Sequence, residues 1–383
     1  MKQTKKFLLV LPILTFLAAY NAVPENVTVT QGARLDFRWG ITSEASTEQT
    51  GEFDCCAKLL NFIPIKTVNV SVTPRFCVVP SGEAIGVKVH TDGVLVVGVG
   101  DVTEKSGKKC RPAAKAGIET GDRIVSVNGE GISDTSVFSR KINDCDGKAE
   151  LGIVRGGETI NVNIEAAYSR ESDCYKVGLW VKDSTAGIGT LTFYNPENST
   201  FGALGHAICD SDTKTILTVG RGTVNPCRVK GSYKAKNGEP GELFGDFEDK
   251  VIGRITENCS IGIYGHAENI PQGGAIPVAS RFQVETGSAK VLCDIDGAGT
   301  KAYDIEITKI SKVPGISNKS FVITVTDPAL IQKTGGIIQG MSGSPIIQND
   351  MLVGAVTHVF VNDAKKGYGI FAENMLDMTF KID

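Results

Sequence analysis

Apolar and polar positions alternate with a period of two through most of the chain. The pattern is clear in "NVTVTQGARLDFRW" and "IPIKTVNVSVTPRFCVVP" before residue 80, and in "KVGLWVKD", "TKTILTVGRGTV", "KAYDIEITKI" and "SFVITVTD" after residue 175. Such alternation puts one set of side chains on each face of a strand, and glycine turns between the runs predict hairpins. After residue 175 no helical period intervenes until "FAENMLDM" near the end. Between 82 and 167 the order differs: two strands in "GEAIGVKVHTDGVLVVGVGDV", a short helix over 112–116, the strand "RIVSVNG", a helix starting after Asp134, then two strands in "KAELGIVRGGETINVNIEA". The expected fold class is mostly β. It comprises an N-terminal β-rich segment (24–80), a compact domain (82–167), a linker "SRESDC" (169–174), and a β domain (175–383) with room for two packed six-stranded barrels.

Length changes the picture little: 383 residues predict two or three domains. A net charge of −3 with interspersed signs excludes a nucleic-acid footprint. The N-terminus reads as an export signal or membrane anchor over 1–22. Lys2, Lys5 and Lys6 precede an apolar run from Phe7 to Ala19, shorter than the roughly 20 residues of a spanning helix. An exported chain with ten cysteines admits disulfides, although the same residues also serve as small buried hydrophobes. With no Cys-x-x-Cys pair and four histidines, neither a metal nor a cofactor is expected.

The phrase "AGIETGDRIVSVNG", with the strand and helix order around it, resembles a PDZ domain of the kind attached to bacterial exported proteases. The resemblance covers 82–167 and implies that a peptide adds as a strand beside the second helix. It further implies that backbone amides near Ala84, Ile85 and Gly86 hold the peptide's terminal carboxylate. Val137 and Ile142 on that helix are candidates for the groove or for the core.

The chemistry lies in "GGIIQGMSGSPIIQND". A serine hydroxyl attacks a carbonyl only when a base takes its proton, and the developing oxyanion needs aimed N–H donors. "G-M-S-G-S-P" has the form of the nucleophile turn of chymotrypsin-like proteases, with Ser342 as nucleophile and the Gly340 and Ser342 amides as oxyanion hole. The candidate base is His206 in "FGALGHAICDSDT", ahead of the serine as in that group. His358 reads as a strand residue beside the cleft; His266 and His90 have no supporting context. Met341 stands where an acidic residue often precedes the nucleophile, which argues against activation by a newly cut N-terminus.

Those two blocks, "GIGTLTFYNPENSTFGALGHAICDSDT" and "GIIQGMSGSPIIQNDMLVGAVTHVFVNDAKKGYGI", behind a PDZ-like domain and a hydrophobic N-terminal segment, resemble the stage IV sporulation protein B family. The resemblance implies a serine endopeptidase released by the forespore into the space between forespore and mother-cell membranes. Its implied substrate is a regulator of a membrane-embedded metalloprotease, whose release leads to processing of pro-sigma-K, and it cleaves itself near its N-terminus. It also implies that Asp327 in "TVTDPALIQ" is the triad acid; Asp246 and Asp249 are outside candidates. Two rival functions share the sequence: a PDZ scaffold on a non-cleaving protease fold, and a general extracytoplasmic quality-control protease.

Overall fold

The structure, a computed structural model, describes residues 16–382 apart from 33, 34, 36, 38–40, 44, 237 and 312–314. The expected export segment therefore lies mostly outside the described residues; 16–22 are helical. Among the described residues no helix is long and apolar enough to cross a membrane.

The N-terminal segment is a four-stranded sheet in which Ile63–Thr73 lies between Asn26–Thr30 and Gly51–Leu59, with Ile41–Thr42 at the edge. Alternation decides its faces: Val68, Val70 and Val72 point into a small core with Val27 and Val29. The strand Cys77–Pro80 falls outside this sheet and pairs with the later barrel.

Two closed barrels follow. In the first, Ala84–Val99 pairs with Val219–Tyr233, and the ring continues through Gly253–Cys259, Gly262–Ala267, Thr200–Ala203 and Leu179–Asn195 back to Ala84–Val99. The second closes Gly287–Cys293, Lys301–Ile310, Phe321–Val325, Asp363–Phe371, Met351–Phe360 and Pro345–Gln348. Its core shows the period of two plainly: Tyr303, Ile305 and Ile307 from one strand meet Phe321, Ile323 and Val325 from the next. Burying such side chains contributes about 1.5–3 kcal/mol each relative to exposure. The helix Ala372–Thr379 seals the junction, with Met375 and Leu376 packed beside Phe193 and Tyr264 of the first barrel and Leu352 and Ile370 of the second.

The middle domain grows out of the first barrel. The strand Ala84–Val99 (the outgoing strand) leaves the barrel after residue 90, and its far half pairs with Arg123–Val127, followed by Lys148–Arg155 and Glu158–Glu165. The chain returns along Leu179–Asn195 (the returning strand), which stays antiparallel to the outgoing strand over 179–190. The expected partition is corrected here. Residues 84–90 complete the first barrel, so the barrel pair is not contained in 175–383. A 16-residue strand can serve two domains, and its local alternation is the same whichever neighbour it meets.

The helix Thr135–Asp144 packs Phe138 and Ile142, four residues apart, into the middle-domain core. Asp134 starts it by accepting from the Val137 amide at 2.8 Å. The buried Asp122 of "TGD" takes a two-pronged bond from Arg155, at 2.6 Å from each of Nε and Nη2, which ties the turn to the Lys148–Arg155 strand. All ten cysteines are free thiols. Their alternative role holds for several: Cys55, Cys227 and Cys293 are buried, and burial pushes the Cys227 thiol up to about 11.

Candidate active site

Two turns converge at the mouth between the barrels. The first follows Thr200–Ala203, where Leu204 and Gly205 both adopt left-handed backbone, with φ of 68° and 69°. For leucine that conformation costs roughly 1–2 kcal/mol. Burial of the Leu204 side chain in the first-barrel core and the bond from its amide to the Thr190 carbonyl at 3.3 Å hold it there. The reversal carries His206 into a cleft of about 400 Å³, whose other walls include Thr185, Ile188, Gly340 and Ser342.

The second turn is 340–344. Gly340 and Gly343 have φ of 96° and 95°. A Cβ on Gly343 would lie 2.1 Å from the Thr190 carbonyl oxygen and 2.4 Å from the Leu204 amide, so only glycine allows the serine turn to dock on the histidine turn. Met341 is wholly buried in the second-barrel core and anchors the turn by packing.

The returning strand clamps both turns. Its Thr190 amide donates to the Ser342 carbonyl at 2.9 Å and its hydroxyl to the Gly340 carbonyl at 2.8 Å, while the Thr192 hydroxyl donates to the Gly343 carbonyl at 2.7 Å. Both threonines are buried. Three carbonyls of the turn are thus drawn inward, and the Met341, Gly343 and Ser344 amides donate to the Ile338, Val356 and Met341 carbonyls. Among the described residues no acceptor is assigned to the Gly340 or Ser342 N–H. Thr190 and Thr192 were not singled out in the sequence, because two β-branched residues in a strand look like ordinary sheet formers.

His206 Nδ1 lies 2.8 Å from the Ala207 carbonyl oxygen. A carbonyl only accepts, so Nδ1 carries the proton and Nε2 keeps the lone pair that a general base requires. Burial lowers the His206 pKa below its ordinary 6.5, which keeps the imidazole neutral at physiological pH. The Ser342 hydroxyl donates to the Thr357 carbonyl at 3.0 Å. Among the described residues no hydrogen bond joins it to His206. Active sites without substrate often hold such contacts loose.

His358 lies beside this pair, its ring centroid 5.2 Å from that of His206, with a buried Nδ1 that has no partner. Burial foremost, then His206 and Lys319, push its pKa down to about 4. Both imidazoles are thus held neutral in the fold and would bind protons near 6.5 when unfolded. Stability is therefore full above pH 6.5 and falls as pH drops through the window from 6.5 to about 4. Thermal unfolding of His358→Asn is expected to lose less Tm between pH 7 and 4.5 than the parent; an equal or greater loss would contradict this.

Among the described residues no hydrogen bond joins Asp327 to His206, where the expected triad would have one. Asp327 Oδ1 accepts from the Ala329 and Leu330 amides at 2.8 and 3.1 Å, capping the helix Pro328–Thr334, and its Oδ2 accepts from the Asp304 amide at 3.2 Å. Asp246 pairs with Lys230 on the surface, and Asp249 is exposed. The partner that His206 Nδ1 has among the described residues is the Ala207 carbonyl. Asp327→Asn keeps the cap and is expected to retain kcat within a few-fold, whereas loss of a true triad acid costs about 10⁴. Asp327→Ala should cost about 1 kcal/mol in denaturant unfolding, the worth of an N-cap.

Ala84, Ile85 and Gly86 also lie elsewhere than expected. They pair with residues 188–190 on one side, and residues 85 and 86 also pair with 226 and 225 on the other; Ala84 and Ile85 are buried. They belong to a barrel wall and offer no carboxylate loop. The groove beside the helix Thr135–Asp144 is formed by the start of the returning strand. It has a volume of about 300 Å³, with Phe138, Ser139 and Ile142 on one wall and Val177, Leu179 and Val181 on the other. The available signal was "KVGLWV", a glycine ahead of an alternating strand.

A serine and an imidazole lining one cleft between two closed barrels, with a peptide-adding domain built onto the first, define a serine peptidase carrying a PDZ domain. The chain belongs to the SpoIVB peptidase S55 family, whose profile matches residues 173–376, and a PDZ domain profile matches 84–166. No curated protein matches it. Among solved structures it is similar to the inactive form of the Rv3671c protease, at 17% identity over 51% of this chain and 84% of that one, with a TM-score of 0.30. The active form of that protease from M. tuberculosis aligns at 17% identity over 52% and 74%, with a TM-score of 0.33.

Proposed function

We propose that Ser342 is the nucleophile, His206 Nε2 its base, and the Gly340 and Ser342 amides the oxyanion hole. The observation carrying this is the shared cleft of Ser342 and His206, bordered by a turn whose carbonyls are bound away from it. In the reaction, Ser342 leaves the Thr357 carbonyl, gives its proton to Nε2 and attacks the scissile carbonyl. The protonated imidazole then passes that proton to the leaving amine, and water repeats the cycle on the acyl-enzyme.

Family membership supports a more specific role. The enzyme is exported from the forespore, remains near the membrane, and cuts a regulator of a membrane-embedded metalloprotease so that pro-sigma-K is processed; it also cuts itself near the N-terminus. Intact-mass mapping of the expressed full chain and of Ser342→Ala, each alone and with the regulator's extracytoplasmic segment, tests this. Shortened products only with Ser342 present are expected. Identical masses from both proteins would overturn it.

A further inference from the structure

The returning strand has one edge occupied and one open. Over 179–190 it pairs on one side with the outgoing strand. Among the described residues no strand pairs with its other side until 191, where Thr200–Ala203 joins. At Thr190 that second side is already taken by the two turns, since the Thr190 amide donates to the Ser342 carbonyl and its carbonyl accepts from the Leu204 amide. The register from 184 to 190 is regular, so the backbone groups of Ile188 and Ala186 face the same side as those of Thr190. Both residues line the catalytic cleft, and Ser184, Ala186 and Gly187 are exposed. At its other end, Leu179 and Val181 form a wall of the groove beside the helix Thr135–Asp144. One strand edge therefore runs from the PDZ groove to the nucleophile, with shifts of register at 180/181 and 182/184 between its two regular halves.

Polarity makes the connection useful. The turn before the returning strand, with Gly178 at φ of 72° and Lys176 exposed beside it, closes the start of the groove. A peptide whose free carboxylate is held at that turn must run antiparallel to the strand, with residues further from its C-terminus lying opposite 181, 185 and 188 in order. The bond it presents to Ser342 then has its C-terminal side on the strand, which is the side of a substrate that leaves first. The opposite wall is fixed as well: Lys182 pairs with Asp212 and, at 3.7 Å, with Asp210, holding the segment after His206 against the strand.

We propose that the enzyme measures its cut from the substrate's free C-terminus. A flexible carboxyl-terminal segment docks in the PDZ groove, extends along the open edge, and is cleaved roughly ten residues upstream. Ten residues of extended chain span roughly 33 Å, about the length of the stretch from 179 to 189, whose two register shifts set the spread of about two residues expected in the cut. This rests on the peptidase reading above and names its substrate class: proteins ending in an unfolded tail.

The full chain is incubated with two pools of synthetic, randomised peptides about 20 residues long, one ending in a free carboxylate and one in an amide, and the products are sized by mass spectrometry. The expected result is a cluster of C-terminal fragments within about two residues of ten, with the amidated pool cut at least about tenfold more slowly. Ser139→Trp, which fills the groove, should spread the fragment lengths; the acid-against-amide comparison uses the parent protein alone and does not depend on that variant folding. Equal rates with a flat length distribution, while a fluorophosphonate still labels Ser342, would overturn the measuring mechanism and leave the peptidase standing. No cleavage of either pool together with no labelling would overturn both.

Discussion

Ser342→Ala should lower kcat on a peptide substrate by about 10⁶, the loss seen when the nucleophile of such a unit is removed, with Tm nearly unchanged. The hydroxyl makes one bond, to the Thr357 carbonyl, from a half-buried position, so little folding energy goes with it. His206→Ala should cost about as much, and the double variant no more than either alone, because the two act as one unit. Kinetics on a chromogenic ester and thermal melts of the three variants check this. Additive losses would mean that serine and imidazole work independently.

Gly343→Ala should be the most damaging change of a single methyl group. The left-handed backbone alone costs about 1–2 kcal/mol for alanine. The added Cβ would also press on the Thr190 carbonyl oxygen and the Leu204 amide, two backbone groups that cannot turn aside. Such overpacking adds about 1–3 kcal/mol. Any relief must separate the serine turn from the histidine turn, and misplacement of about 1 Å costs about 10² in rate. Gly299→Ala is the control, since Gly299 has φ of 90° with open space where its Cβ would sit. Denaturant unfolding and kcat should show a stability loss several-fold larger at 343, with activity lost only there. Equal effects at both sites would show that the turns do not need this close docking.

The contrast between those glycines shows what the chain discloses by itself. That Ser342 and His206 line one cleft was legible from two local patterns, a serine in one glycine turn and a histidine after another. The barrels were legible from alternation, as in Tyr303, Ile305 and Ile307. What alternation leaves open is the partner of each strand. Residues 84–86 read as the opening of the middle domain, yet their neighbours are residues 188–190 and 225–226, far along the chain. The groove strand at 179–181 was missed for the same reason. Thr190 acts through hydrogen bonds to a turn some 150 residues away, which no local pattern records. Asp327 is different: an aspartate directly before a proline is a helix-start signal, and its capping role could have been read from "TDPALIQ".

The rate at which a fluorophosphonate labels Ser342, followed from pH 4 to 8 in the parent and in His206→Gln, tests the central claim most directly. The burial-lowered pKa of His206 predicts a single rise in rate with its midpoint below 6.5, and near-complete loss of labelling in the variant. Unchanged labelling of Ser342 in His206→Gln would contradict the account, because the hydroxyl would then be activated by another base.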